Sequence, residues 1–287
     1  MRRVFLGTEA ISSGAATPGE LRYRYHRLFP NVYTVDDMPS LSVRTVGAWL
    51  WSGRRGVITG LAASAWHGSK WIDPSVPIEM IYDCKRPPAG VVTRNERIGE
   101  DERIVRYGLP VATIQRTAFD LGRFSSVERA VERLDALANK TGLRADDVLP
   151  LIERYRGARG TRNLRSALAL MDAGAQSPKE TWLRLLLIKK GFPRPRTQIP
   201  VSRADGWAFA YLDMGWEDLK IAVEYDGDHH RERDQYQFDI QRLRKIEQLN
   251  WLHIKVINED TPEEIVDRVR RARALRESAL RVAPRAA

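Results

Sequence analysis

Two short apolar segments with strand-like patterns lie close together in the C-terminal third of the chain. Residues 207–214 and 219–226 are rich in aromatic, β-branched and small apolar residues, as is typical of strands. Residues 215–218 predict a reversal of the chain between them, so the two strands are expected to form a hairpin. Because strand side chains alternate between faces, Glu224 and Asp226 are expected to project together, while Ile221 and Val223 pack on the other side.

Segments with helical periodicity lie before and after this hairpin in the sequence. Leucines at 183, 186 and 187 predict an inward face on a helix over 178–190. Further helices are predicted over 235–249 and 261–282.

The N-terminal part has a different pattern. Thr17-Pro18-Gly19-Glu20 predicts a helix start, followed by a short basic helix over 21–27 and a turn into a β-wing over 28–35. Strand-like runs at 77–82, 91–93 and 104–107 predict a small sheet, and helices are expected over 59–68, 126–139, 144–155 and 160–171. Residues 172–177 form a plausible linker, so we predict one domain over 1–172 and a second over 173–287.

Carboxylates interrupt both strands of the predicted hairpin. Asp213 lies near the end of the first strand, and Glu224 lies within an otherwise apolar stretch of the second. A carboxylate inside an apolar strand is costly unless something pairs with it. A hard divalent cation meets this need, because magnesium is bound by one or two carboxylates together with water and substrate phosphate. The alternative for Asp226-Gly227-Asp228 alone is an ordinary turn.

Composition narrows the class of protein. The 287 residues are 43% hydrophobic and 29% charged, as in globular proteins. The single cysteine, Cys84, excludes an internal disulfide and a cysteine–histidine zinc cluster, and it is typical of a reducing cytoplasm. No apolar run is long enough for a membrane helix, and no secretory signal is visible at the start of the chain. We therefore expect a cytoplasmic protein without a membrane partner.

The net charge of +10 favours a polyanionic partner, and DNA is the partner we expect. In a helix–turn–helix, a basic second helix lies in the major groove and contacts phosphates and bases. The segment over 21–27 has this character, and the predicted helix over 235–249 adds basic residues that could contact phosphates. The candidate DNA-binding residues are Arg22, Arg24, His26, Arg27, Arg242, Arg244 and Lys245.

The C-terminal stretch over 177–258 resembles the very-short-patch-repair-like (Vsr-like) endonuclease domains of the PD-(D/E)xK superfamily. The pattern of that group is a Pro-x-Glu helix start with Leu-x-x-Leu-Leu, an Asp ending one strand, a Glu-x-Asp-Gly-x-x-His strand end, an Asp-x-x-Arg helix and a last strand. These features stand here, in order, as Pro178-Lys179-Glu180 with the three leucines, Asp213, Glu224 to His230, Asp239 to Arg242, and Trp251 to Val256.

The resemblance implies metal-dependent hydrolysis of phosphodiester bonds. Asp213 and Glu224 would bind Mg²⁺, or Mn²⁺ in its place, with the backbone carbonyl of Tyr225. Glu180 would bind the ion directly or hold a metal-bound water. Asp226 or His230 would orient the attacking water or carry a proton.

The chain departs from the wider superfamily at one position. Asp226 stands where the usual Glu-x-Lys pattern has a lysine. Lys220 and Lys245 are the candidates for supplying that lysine from elsewhere. Since the Vsr-like group commonly lacks the lysine, the departure leaves both an active and an inactive nuclease fold open.

The N-terminal part resembles the winged-helix antitoxin (AbiEi-like) domains. The resemblance rests on the segment over 12–35, on residues 59–68, and on residues 109–121, which correspond to the pattern Pro-Val-Thr-x-x-x-Arg-Thr-x-x-Asp-Leu. Within the last motif, Arg116 and Asp120 are four residues apart and are expected to form an architectural pair. The expected fold class is an α+β winged-helix-type domain followed by an α/β restriction-endonuclease-like domain.

Two functions follow from these expectations. The first is a metal-dependent DNA endonuclease that an N-terminal domain targets to DNA. The second is a non-catalytic, DNA-binding regulator of antitoxin type with a degenerate nuclease fold. The two share DNA as a partner and differ only in chemistry.

Overall fold

The protein has a mixed α/β structure that divides into two compact units. The computed structural model describes residues 3–202, 206–226 and 242–282. The first unit is Met1–Ala173 and the second is Gly174–Ala287. Among the described residues, none of the helices combines the length and the apolar character needed to cross a membrane.

The first unit begins with a three-stranded sheet and two short helices. Strands β1 and β2 flank β3, and both pair with it in antiparallel fashion. A capping box between Thr17 and Glu20 starts the second helix, as its sequence predicts. The elements are β1 (Val4–Leu6), α1 (Gly7–Ser12), α2 (Pro18–Tyr23), β2 (His26–Phe29) and β3 (Val32–Thr34).

The predicted basic helix over 21–27 is wrong in its second half. Helix α2 ends at Tyr23, and His26 and Arg27 belong to strand β2. Strand β2 pairs with β3, and Phe29 at its end is buried. This backbone pairing and burial outweigh the weak helical preference of the segment, because tertiary contacts override local propensity. Strands β2 and β3 form a hairpin that overlaps the segment 28–35, for which a wing was predicted.

A five-stranded sheet follows, with strand order β6-β5-β4-β8-β7. Its three predicted strands are confirmed, and two short buried strands that the sequence did not predict lie at its centre. Trp49, Trp51 and Trp66 pack against its core, whereas Trp71 is exposed. The elements are α3 (Leu41–Trp51), β4 (Val57–Thr59), α4 (Gly60–Trp66), β5 (Ile78–Ile81), β6 (Val91–Arg94), β7 (Arg103–Arg106) and β8 (Leu109–Ala112).

Four helices complete the first unit. They are α5 (Ile114–Arg123), α6 (Val127–Thr141), α7 (Leu149–Arg154) and α8 (Thr161–Leu170). The single helix expected over 144–155 is wrong, because a 3₁₀ turn, Ala145–Val148, precedes α7. Pro150 lies in the first turn of α7, where its missing N–H group is tolerated. Proline therefore marks the start of α7 and not the interior of a longer helix.

The expected pair of Arg116 and Asp120 is confirmed, and it forms part of a buried ionic cluster. The guanidinium of Arg116 is 1% exposed; its Nε lies 3.1 Å from Asp120 and its Nη1 lies 2.6 Å from Glu102. Arg123 and Glu96 extend the cluster. Because each charge has an opposite partner, the cluster is architectural, as the sequence indicated.

The second unit is built on a four-stranded sheet with order β12-β11-β10-β9. Neighbours are antiparallel except β11 and β12, which run parallel. The described elements are α9 (Pro178–Lys189), β9 (Arg196–Ser202), β10 (Ala208–Trp216), β11 (Ile221–Tyr225), α10 (residues 242–248), β12 (Leu252–Val256) and α11 (Pro262–Val282). Leu183 and Leu187 of α9 are fully buried against the sheet, which confirms the predicted inward face.

The predicted hairpin is confirmed, but its turn is shorter than expected. Gly215 and Trp216 continue β10 and pair with Ala222 and Ile221 of β11. A Cβ atom on Gly215 would lie 2.1 Å from the carbonyl oxygen of Ile221. Glycine is therefore needed here for close approach of the two strands, and not for a turn.

Candidate active site

The hairpin brings Asp213 and Glu224 together. In the antiparallel register, Met214 faces Val223 and Gly215 faces Ala222. Beyond these pairs, the backbone N–H of Tyr225 donates to Oδ2 of Asp213 at 3.1 Å. Asp213 and Glu224 line the same cavity. The hairpin therefore brings the two predicted carboxylates to one place.

Glu180 reaches the same place from the first turn of α9. Ser177 is the N-cap of this helix and accepts a hydrogen bond from the N–H of Glu180. The Glu180 carboxylate in turn accepts bonds of 2.9 Å from the N–H of Gln176 and from the Ser177 hydroxyl. The side chain is held in place and buried, with only 8% of its surface exposed.

The carboxylates of Glu180, Asp213 and Glu224 lie close enough for their charges to affect one another's pKa values. Burial raises the pKa of Asp213 to about 7, and the charges of Glu180 and Glu224 add to the rise. Burial also raises the pKa of Glu180, against the two hydrogen bonds that lower it, and Glu224 raises it further. The raised pKa values therefore have two causes, burial first and the neighbouring carboxylates second, and such a combination is typical of functional sites.

The pKa of Glu224 is shifted in the opposite direction. Burial alone would raise its pKa, but the hydrogen bond and charge of His253, together with Arg242, hold the pKa below its usual value. The Nε2 of His253 lies 2.6 Å from Oε2, and Nη2 of Arg242 donates to Oε1 at 2.8 Å. Arg242 also donates to the carbonyl oxygen of Tyr211 at 2.8 Å. His253 and Arg242 therefore favour the ionised form of Glu224.

A polar cavity opens beside these groups. Its volume is about 140 Å³, and acidic and basic side chains dominate its lining. Asp226 forms an ion pair with Lys255 at its edge. The lining residues are Asp213, Glu224, Tyr225, Asp226, Arg242, Leu243, His253 and Lys255.

His253 and Lys255 were missed in the sequence. Both lie on β12, where the parallel register places His253 beside Ala222 and Lys255 beside Glu224. The available signal was the one that identified Glu224, namely polar residues at alternate positions of an apolar strand. Among described residues, Lys255 is the lysine that lines the cavity, whereas the Lys220 ammonium lies 4.9 Å from the centre of the Trp251 ring and Lys245 is exposed on α10.

The donor chemistry fits a hard cation, although the described residues form no ready-made cage. Within residues 3–202, 206–226 and 242–282, no group of three or more His, Cys, Asp or Glu side chains has the arrangement to hold a metal ion. Magnesium does not need such a cage, because one or two protein carboxylates, water and substrate phosphate suffice. Asp213 and Glu224 supply oxygen donors, and each carboxylate oxygen has two lone-pair positions, so the bonds from Arg242 and His253 do not exhaust Glu224.

The other predicted site residues fall into three groups: one outside the described residues, four in the first unit and three on α10. His230 lies outside the described residues. Arg22, Arg24, His26 and Arg27 are all exposed in the first unit. Arg24 pairs with Glu20 at 2.9 Å, and His26 lies 2.6 Å from Asp37. Arg244 is exposed on α10, as Lys245 is, whereas Arg242 turns into the cavity.

Comparison with known proteins gives a distant relative. No family model and no solved structure matches the chain. The chain is 26% identical over 242 residues to an uncharacterized protein of Mycobacterium tuberculosis, named MT2308 in strain CDC 1551 / Oshkosh and Rv2248 in strain ATCC 25618 / H37Rv. The match covers 83% of this chain and 87% of each relative. A match of this length must include residues of both units.

Proposed function

We propose that the protein is a DNA endonuclease that hydrolyses phosphodiester bonds with the help of Mg²⁺ or Mn²⁺. The observation that carries the proposal is the convergence of Glu180, Asp213 and Glu224, where burial and then the charges of Glu180 and Glu224 raise the pKa of Asp213 to about 7. Structural ion pairs are arranged to cancel charge, as around Arg116. A buried carboxylate with a strongly raised pKa and two carboxylate neighbours is instead typical of a functional site, and a bound cation would offset the cost of ionising it.

In the proposed reaction, a water oxygen forms a new bond to phosphorus and the bond to one bridging ester oxygen breaks. The products are a phosphate monoester and a free hydroxyl. When bound to Asp213 and Glu224, with Glu180 beside them, the cation would supply charge stabilisation at the phosphate and a lower pKa for water. Arg242 and His253 hold Glu224 ionised and fixed, so the carboxylate is oriented before substrate arrives.

The first unit would supply DNA affinity in this proposal. The exposed basic side chains of α2 and β2 suit phosphate contacts. The sheet order β1-β3-β2, with two short helices inserted after β1, is compatible with a winged-helix element. The net charge of +10 supports the same partner.

The decisive experiment measures cleavage of supercoiled, single-stranded and mismatched DNA by the wild type and by Asp213→Ala. The wild type should cleave at least one substrate in Mg²⁺ or Mn²⁺ but none in EDTA, and Asp213→Ala should be slower by about 100-fold or more. Asp218→Ala is the matched control, because Asp218 is exposed in the turn of the same hairpin. Binding without cleavage by the wild type on all three substrates, in both metals, would refute the proposal.

A second candidate function is a non-catalytic DNA-binding regulator. It is favoured by the two partners of Glu224, because a carboxylate bound by both Arg242 and His253 resembles a closed structural pair. Under this proposal the second unit serves as a binding or dimerisation platform. The same cleavage experiment separates the two functions, since a wild-type regulator would bind DNA and cleave none of the three substrates in either metal.

A further inference from the structure

Lys255 is a cationic side chain in the carboxylate cavity whose role the cation site does not explain. It projects from β12 on the face of the sheet that carries Glu224, because the two residues are register partners on parallel strands. Its backbone carbonyl accepts a hydrogen bond of 2.8 Å from Arg268 of α11. The strand is thereby fixed, while 45% of the Lys255 side chain remains exposed.

The two cationic side chains Arg242 and Lys255 differ in how firmly their anionic partners hold them. Arg242 is committed to Glu224 and to the carbonyl of Tyr211, and 32% of its side chain is exposed. Lys255 pairs with Asp226 at the edge of the cavity, through a flexible four-carbon stem. An ammonium on such a stem can exchange one anionic partner for another without moving the backbone.

Resting on the proposed function, we propose that Lys255 is the phosphate-binding residue of the site. Its ammonium leaves Asp226 and binds a non-bridging oxygen of the scissile phosphate. Asp226 is then a positioning residue that holds the ammonium at the cavity when DNA is absent. The physical need is clear, since a phosphodiester anion entering a cavity lined by three carboxylates is repelled unless a cation meets it.

The test compares Lys255→Met and Lys255→Arg with Lys190→Met, which removes the same charge from the exposed end of α9. Lys255→Met should lower kcat by about 100-fold, as loss of a group that stabilises transition-state charge does. Lys255→Arg should recover most of the activity, because it retains the cation. Affinity for uncut DNA should change by less than about threefold, since one phosphate contact among many is lost.

A second measurement does not depend on turnover. A short oligonucleotide with a terminal phosphate should bind the wild type more tightly than the same oligonucleotide with a hydroxyl end. Lys255→Met should abolish that preference, and Lys190→Met should keep it. If Lys255→Met keeps the preference, or retains wild-type kcat, the assignment of Lys255 is wrong even if the wild type is a nuclease. If the wild type cleaves nothing yet shows a preference that depends on Lys255, the phosphate-binding role stands and the nuclease proposal falls.

Discussion

Replacing Asp213 by asparagine should make the protein more stable at pH 8. The aspartate has a folded-state pKa of about 7 against a reference value of 3.8. At pH values between these two pKa values, the protein therefore takes up a proton when it folds. The wild type consequently loses stability as the pH rises through that range. Asparagine has the same shape and no charge, so the variant escapes the loss.

The size of the gain follows from the shift. A difference of roughly three pKa units corresponds to an upper limit of about 4 kcal/mol, at 1.36 kcal/mol per unit. Partial exposure of Asp213, and the weaker hydrogen bond that a neutral amide accepts from the Tyr225 N–H, reduce the expected gain to about 2 kcal/mol. For a unit of this size, that raises the melting temperature by roughly 8 °C.

The assay is thermal unfolding of the full chain at pH 8 and pH 4, with and without Mg²⁺. The variant should melt above the wild type at pH 8 and together with it at pH 4, where the aspartate is protonated when folded. Mg²⁺ should stabilise the wild type at pH 8 and reduce the difference. Asp218→Asn, in the exposed turn of the same hairpin, should show no difference at either pH. An equal effect at both pH values, or no gain at pH 8, would refute the electrostatic reasoning.

Three further predictions address the two units. Arg116→Met should lower the free energy of unfolding by about 3–5 kcal/mol in urea titrations, because it leaves buried carboxylates without their partner, whereas exposed Arg162→Met should have little effect. Gly215→Ala should cost about 1–3 kcal/mol in the same titrations and slow any DNA cleavage, because the new methyl group meets the Ile221 carbonyl and separates β10 from β11. Arg22→Ala should weaken DNA binding similarly for all sequences and reduce the slope of log affinity against log salt by about 1, measured by fluorescence anisotropy.

A different experimental result would contradict each of these three predictions. A stable Arg116→Met protein would show that the buried cluster is not held by that guanidinium. Wild-type stability in Gly215→Ala would mean that β10 and β11 are not as close as their register requires. If Arg22→Ala leaves the slope of log affinity against log salt unchanged, α2 is not part of the DNA-binding surface.

Local patterns in the sequence determined most elements of the second unit. The apolar and β-branched residues over 219–226 predicted strand β11, and the two-residue period of a strand predicted the shared face of Glu224 and Asp226. The leucine spacing after Pro178 predicted the buried face of α9. The capping residues of α2 likewise identified its start, since they satisfy the first N–H groups of a helix regardless of what surrounds it. Local chemistry was sufficient in these cases because the relevant contacts lie within one or two turns.

The composition of the site was decided by tertiary structure. His253 and Lys255 join Glu224 only because β12 pairs in parallel with β11, and a parallel pair requires a long connection that no local pattern specifies. The end of α2 was also decided this way, since pairing with β3 places His26 and Arg27 in a strand. The raised pKa of Asp213 has the same origin: burial and the approach of Glu180 from α9 act through space, between residues far apart in the chain. The sequence alone thus determined which residues carry charge, and the fold decided which of those charges face one another.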